Sequence, residues 1–274
     1  MAKGWRTSLL NIAAALFLAY AILVVLVFAF QDRLLYYPPR MPDGEAASLA
    51  RAAKLQSWRP DSLRGYVRAP AGTVRATVVV FHGNAGAAVH RDAFADALVP
   101  RGFRVVLAEY PGFAGKPGNP DEAALAADAV ATLQAVRSEF PGPVIAWGES
   151  LGAGVLGAAL AAHGGLVDGL VLLTPWDSLA EVASHHYPWL PVRRMLRDDY
   201  DTVANLRAFQ GPLAVLLAAE DRVIPAAFGR RLFDSFSGKK TLHVFPGADH
   251  NSWPFDPAEP WWDEVMRAVL QTKP

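Results

Sequence analysis

Residues 148–152 read Gly148-Glu149-Ser150-Leu151-Gly152, a G-x-S-x-G pattern between an apolar, strand-like run at 144–147 and an Ala- and Gly-rich, helix-like run at 151–163. The chemistry this permits is acyl transfer. A serine hydroxyl is a weak nucleophile, so it must be exposed, served by a base and faced by donors for the developing oxyanion. A sharp strand-to-helix turn lifts the hydroxyl away from its own backbone, and the flanking glycines leave room for the turn and for close helix–strand packing. The start of the following helix also offers N–H groups to an anion. The bare pattern can occur by chance, so its weight comes from the strand–turn–helix context. Glu149, beside the serine, reads as a structural or rim carboxylate, and Asp128 and Asp177 as solvated or capping groups.

Such a nucleophile needs partners placed later in the chain, first an acid and then a histidine. The run at 213–219 is strand-like and ends in Glu220 and Asp221, either of which could be the acid. The strand-like run at 241–245 leads into a loop carrying His250, which is free to reach the serine, whereas His243 lies within the strand. His185 and His186 precede the candidate acids and stand in the wrong order. Two backbone amides are candidates for the oxyanion hole. One is Leu151 N–H, next to the serine. The other is Asn84 N–H in His82-Gly83-Asn84-Ala85-Gly86, the turn after an earlier apolar run at 74–81. The plain alternative for that turn is an ordinary Gly-rich connection. A phosphate-binding loop is a poor rival because no G-K-[ST] follows.

These residues require a scaffold that presents strand ends side by side. Continuous apolar runs at 74–81, 103–110, 144–147, 170–174, 213–219 and 241–245 alternate with helical stretches at 88–100, 121–140, 151–163, 225–236 and 257–271, and 46–55 fits a surface helix. That alternation predicts an α/β domain: a mostly parallel, twisted sheet with helices on both faces. The chain has 274 residues, 52% hydrophobic and 19% charged, which excludes a disordered chain. Lys+Arg and Asp+Glu are both 26, so there is no basic footprint for nucleic acid. The absence of cysteine excludes disulfides, Cys-based metal sites and a cysteine nucleophile. Serine acyl transfer needs no metal and no organic cofactor, and none is expected.

Residues 8–30 carry no charge, and Asn11 is their only strongly polar side chain. A helix of that length covers the roughly 30 Å hydrocarbon core of a bilayer, and no A-x-A cleavage pattern follows it. The expected organisation is therefore a transmembrane anchor at 8–30, a linker and juxtamembrane segment at 31–60, and a catalytic domain at 61–274. Lys3 and Arg6 before the anchor and Arg33 and Arg40 after it nearly balance. The short basic N-terminus favours a single-pass protein of a bacterial inner membrane, with its domain on the outer, periplasmic side.

With these residues in hand, the sequence resembles the α/β-hydrolase superfamily, and within it the membrane-anchored serine hydrolases with an N-terminal transmembrane helix and little cap. The resemblance is carried by QDRLLYYPP at 31–39, HGNAG at 82–86, EYPGFAG at 109–115, GESLGAGV at 148–155, the stretch 174–202, EDRVIP at 220–225 and PGADHN at 246–251. It implies Ser150 as nucleophile, Asp221 as acid and His250 as base. The EYPGFAG loop departs from the Arg-Gly-Tyr-Gly that relatives carry there, which bears on the pocket wall. A lid at 174–212 would be small, with Trp176, Tyr187 and Trp189 either packing it or lining an acyl site. The expected substrate is a small-molecule or lipid-like acyl ester or thioester. A peptidase on the same triad, or a non-catalytic membrane-anchored scaffold, are the alternatives.

Overall fold

A computed structural model describes residues 2–270; Met1, residues 271–274 and the side chains of residues 2–7 and Pro60 lie outside that description. Lys3, Arg6 and the predicted final helical residue Gln271 fall among these. In chain order the elements are α1 (Ala2–Leu35), α2 (Glu45–Ala52), β1 (Gln56–Trp58), β2 (Gly65–Arg68), β3 (Ala76–Phe81), α3 (Asp92–Leu98), β4 (Phe103–Ala108), α4 (Glu122–Glu139), β5 (Val144–Glu149) and α5 (Leu151–Leu160). There follow β6 (Gly169–Leu173), α6 (Leu179–His186), α7 (Val192–Met195), α8 (Thr202–Asn205), β7 (Leu213–Ala218), α9 (Ala226–Ser235), β8 (Lys240–Phe245) and α10 (Trp261–Val269).

The strands form one sheet in the order β1-β2-β4-β3-β5-β6-β7-β8. From β4 through β8 all neighbours are parallel, while β1 and β2 add an antiparallel edge. The β-branched run of β3 is buried along its whole length, as a strand covered on both faces must be. Its side chains alternate between two cores. Val79 and Phe81 join the layer under α4 and α5, and Val78 and Val80 join the layer under α3 and α10. Asp121 caps α4, its carboxylate accepting from Ala124 N–H at 2.7 Å. The predicted helix at 88–100 is a 3₁₀ turn at Ala88–Arg91 followed by α3.

Within α1, Ser8–Leu35 is 28 residues long, and its most apolar window has a mean hydropathy of 2.9 and is not buried. By length and composition it can cross a membrane. Every residue from Ser8 to Tyr20 is exposed, whereas Ala21, Val24, Val27, Gln31 and Leu35 are partly covered. Those five recur every three or four residues, so one face of the last four turns packs on the domain.

Residues 31–60, expected as linker, supply core side chains. Tyr36, Ala50, Leu55 and Trp58 are all buried. The Tyr36 hydroxyl donates to Asp198 Oδ2 at 2.6 Å and lies 2.8 Å from the Tyr200 hydroxyl. Burial pushes both phenols well above their ordinary pKa, and at Tyr36 the Asp198 carboxylate adds to this.

Candidate active site

β5 ends at Glu149, and Ser150 turns the chain into α5 with φ 52° and ψ −111°. A non-glycine residue there is strained, and the surroundings hold it. Ser150 N–H donates to Leu173 C=O at 2.9 Å, and Ser150 C=O accepts from Ala153 N–H at 2.9 Å. The glycines of the motif have a steric cause. A Cβ on Gly148 would stand 2.6 Å from Gly152 O, and one on Gly152 would overlap the Phe81 carbonyl oxygen of β3.

Asp221 and His250 come from the loops after β7 and β8, which are adjacent parallel strands. Asp221 Oδ2 accepts from His250 Nδ1–H at 2.7 Å. Its Oδ1 accepts from Val223 N–H at 2.8 Å and Ile224 N–H at 2.7 Å. The carboxylate is thus buried with both oxygens engaged, while Glu220 is exposed on the same loop. With Nδ1 committed as donor, His250 Nε2 is the acceptor facing the Ser150 hydroxyl, 3.1 Å away. The His250 loop is braced by Trp253 Nε1–H to His250 C=O at 3.2 Å and by a turn at Asp249. The Asn251 N–H held by the Asp249 carboxyl lowers its pKa, with Ser252 contributing further.

The HGNAG turn leaves β3 beside Ser150. Neither Asn84 N–H nor Leu151 N–H has a protein hydrogen-bond partner among the described residues. Asn84 uses its other groups to hold the end of α1: Nδ2–H donates to Leu35 C=O at 3.0 Å, and its C=O accepts from Tyr37 N–H at 3.0 Å. Under the turn lies a buried polar cluster. His82 Nε2 is 3.0 Å from Glu109 Oε1, and Glu109 also accepts from Ala88 N–H and Tyr110 N–H. The Tyr110 hydroxyl donates to His82 C=O at 2.9 Å, so the EYPGFAG loop supports the HGNAG turn from below.

The remaining residues weighed from the sequence fall elsewhere. Glu149 is bound bidentately by Arg91, at 2.5 and 2.8 Å. Asp128 pairs with Lys116 and Arg64, and Asp177 with Arg231, so these two carboxylates are ion-paired instead of solvated. His243 sits on β8, where burial lowers its pKa. His185 and His186 lie on α6, with His186 Nε2–H donating to Val223 C=O at 2.8 Å. The lid aromatics divide: Trp176 is buried, while Tyr187 and Trp189 are about half exposed. Sequence reasoning did not read the contacts of Glu109, Arg91 and Tyr36. All three act through contacts with residues 27 to 164 positions away, and no local pattern marks such contacts.

A nucleophile elbow after the fifth strand, with acid and histidine on the loops after the seventh and eighth, defines an α/β hydrolase. The chain belongs to the α/β-hydrolase superfamily and is a serine hydrolase of the esterase-like kind. Residues 72–198 match the family described as serine aminopeptidase, S33. An uncharacterised protein of Mycobacterium tuberculosis is 32% identical over 275 residues, covering 97% of each chain. The lysophosphatidylserine lipase ABHD12 of Danio rerio is 28% identical over 185 residues, covering 61% of this chain and 48% of that protein. An esterase from Thermogutta terrifontis has the same fold, with a TM-score of 0.59, 19% identity, and coverage of 85% of this chain and 93% of that one.

Proposed function

We propose that this chain is a membrane-anchored serine esterase that cleaves a carboxylic ester or thioester of a lipid-like substrate. The observation that carries the reading is the unbroken hydrogen-bond series Asp221–His250–Ser150 on a strained elbow. His250 Nε2 takes the hydroxyl proton as Ser150 Oγ attacks the carbonyl carbon. Asp221 keeps the imidazole in the required tautomer and stabilises the imidazolium. The Asn84 and Leu151 N–H groups receive the oxyanion. Collapse expels the alcohol or thiol, which takes the proton from His250. Water then repeats the sequence on the acyl-enzyme and releases the acid.

The anchoring half of the proposal rests on the unburied apolar stretch of α1. On the short basic N-terminus we further propose that the domain lies on the outer side of a bacterial inner membrane, and a C-terminal reporter active only in the cytoplasm would overturn that proposal. ABHD12, by its name a lipase for a monoacyl phospholipid, favours a lipid ester as the substrate class. The S33 match favours a second reading, an aminopeptidase. Such an enzyme needs a free carboxylate for the substrate amine; Glu149 next to the nucleophile is neutralised by Arg91, which leaves the exposed Glu220 beside His250 for that role. The test is labelling by a fluorophosphonate, followed by turnover of 4-nitrophenyl esters against aminoacyl 4-nitroanilides. Labelling lost in Ser150→Ala, with ester turnover dominant, is the expected result. Undiminished labelling in Ser150→Ala would sink the serine mechanism.

A further inference from the structure

Between α1 and the cap segment lies a cleft of about 320 Å³, at the small end of the range of about 300–1,000 Å³ for ligand pockets. Its walls are Val27, Leu34 and Leu35 from α1, Leu179 and Val182 from α6, and Leu190 from the loop between α6 and α7. We propose that this cleft binds the hydrocarbon chain of the substrate and is entered sideways from the bilayer. The proposal rests on the serine-esterase reading and adds to it the place and the chemistry of the acyl site.

Three observations carry it. The first is depth. The Tyr20 hydroxyl, in the middle of the apolar helix, donates to Trp189 C=O of the cap at 2.8 Å. Tyr20 lies about 18 Å along the helix axis from the first charged residue, Asp32, at 1.5 Å per residue. A span of about 20 residues fills the hydrocarbon core, so a cap that reaches Tyr20 dips into the membrane that α1 crosses.

The second observation is the mouth. Tyr187 and Trp189, in edge contact with each other, line the cleft and are each about half exposed, an aromatic edge at the level of Tyr20. Against lipid this edge opens the cleft to chains. The base is closed by polar contacts instead. Arg197 N–H donates to Gln31 Oε1 at 2.9 Å, and Arg197 pairs with Asp32.

The third observation is the inner end. Each wall of the cleft touches a loop of the active site through one hydrogen bond. Leu35 C=O on the α1 wall accepts from the side chain of Asn84, and His186 on the α6 wall donates to Val223 C=O, two residues after Asp221. The two walls of the cleft are thus joined to the loops that carry the candidate oxyanion donor and the acid, and the proposal has the chain lie between them with its ester end toward Ser150.

The experiment uses full-length protein in detergent and a series of 4-nitrophenyl esters from acetate to palmitate. Two variants change the cleft in opposite directions, and the fluorophosphonate-reactive fraction normalises each preparation. Ala183→Trp, which fills the cleft from α6, should lower the laurate-to-acetate ratio of kcat/KM at least tenfold. Leu190→Ala, which enlarges it, should move the optimum to longer chains, and it carries the test alone if the tryptophan variant does not fold. Chain-length profiles unchanged from wild type in a labelled variant would overturn the acyl-site assignment. A lipid retained by the protein in native mass spectrometry, with profiles still unchanged, would overturn it in favour of a structural lipid. A wild-type protein that neither reacts with the fluorophosphonate nor hydrolyses any ester would instead sink the esterase reading, and the cleft proposal with it.

Discussion

Ser150, His250 and Asp221 are joined in one hydrogen-bond series, and on the proposed mechanism none should work without the next. Ser150→Ala and His250→Ala should each reduce ester turnover by several orders of magnitude, and the double variant should be no worse than either single one. Losses that multiply would mean the two side chains act separately. Asp221→Asn should keep the fold and lose roughly 10⁴-fold, because an amide favours the wrong imidazole tautomer. The types and order of these three residues were readable from the sequence because each stands at a strand end, in a short pattern shaped by backbone needs. The choice between Glu220 and Asp221 required either family resemblance or geometry. Only the fold shows that the two N–H groups of Val223 and Ile224 turn one carboxylate inward and leave its neighbour in water. Glu109 was not readable as part of the site at all. It reaches His82 at the end of the adjacent strand, and what singles it out is that it is buried and hydrogen-bonded, which no spacing displays.

At the scale of elements, the parallel strands and the long helices were legible through their unbroken apolar runs and their lengths. The antiparallel edge was not. β1 and β2 have three and four residues, too few for a period to show, and they are specified by pairing, β2 with β4 and β1 with β2. The end of α1 is likewise part of the domain through contacts that composition does not reveal. This makes the effect of truncation depend on where the cut falls. Removing residues 1–31 leaves Leu35, Tyr36 and Tyr37 in place, and the protein should remain folded and turn over short esters. Removing residues 1–37 deletes the partners of Asn84 and leaves Asp198 and Tyr200 without the Tyr36 hydroxyl. Stranding such buried groups costs about 1–3 kcal/mol each, so the longer deletion should lower Tm and cut kcat at least tenfold. Equal activity in the two truncations would show that the joint between α1 and the HGNAG turn has no influence on the site.

For the molecule as a whole, four buried tyrosines should set the alkaline limit of stability. Burial raises Tyr36, Tyr66, Tyr110 and Tyr200 above the ordinary value of 10.0. A group whose pKa is higher in the folded state stabilises the fold fully below its unfolded pKa, and that contribution is lost as pH rises past it toward the folded value. The urea midpoint should therefore fall steeply above about pH 10. Tyr36→Phe should be less stable at neutral pH and show a shallower alkaline decline. An identical slope in the variant would assign the alkaline limit to other groups.

The joint at Asn84 has a mechanical reading as well. One side chain clasps the last turn of α1, the rod proposed to cross the bilayer, and the same residue is the one proposed to offer its N–H to the reacting carbonyl. A rod longer than the local hydrocarbon thickness tilts to fit, and its angle follows the lipids around it. Tilt would pull on the clasp. Turnover of a short, soluble ester by the full-length chain should therefore change between thin and thick vesicles, while the form lacking residues 1–31 responds to neither. On this reading the enzyme gauges the thickness of the membrane in which it stands.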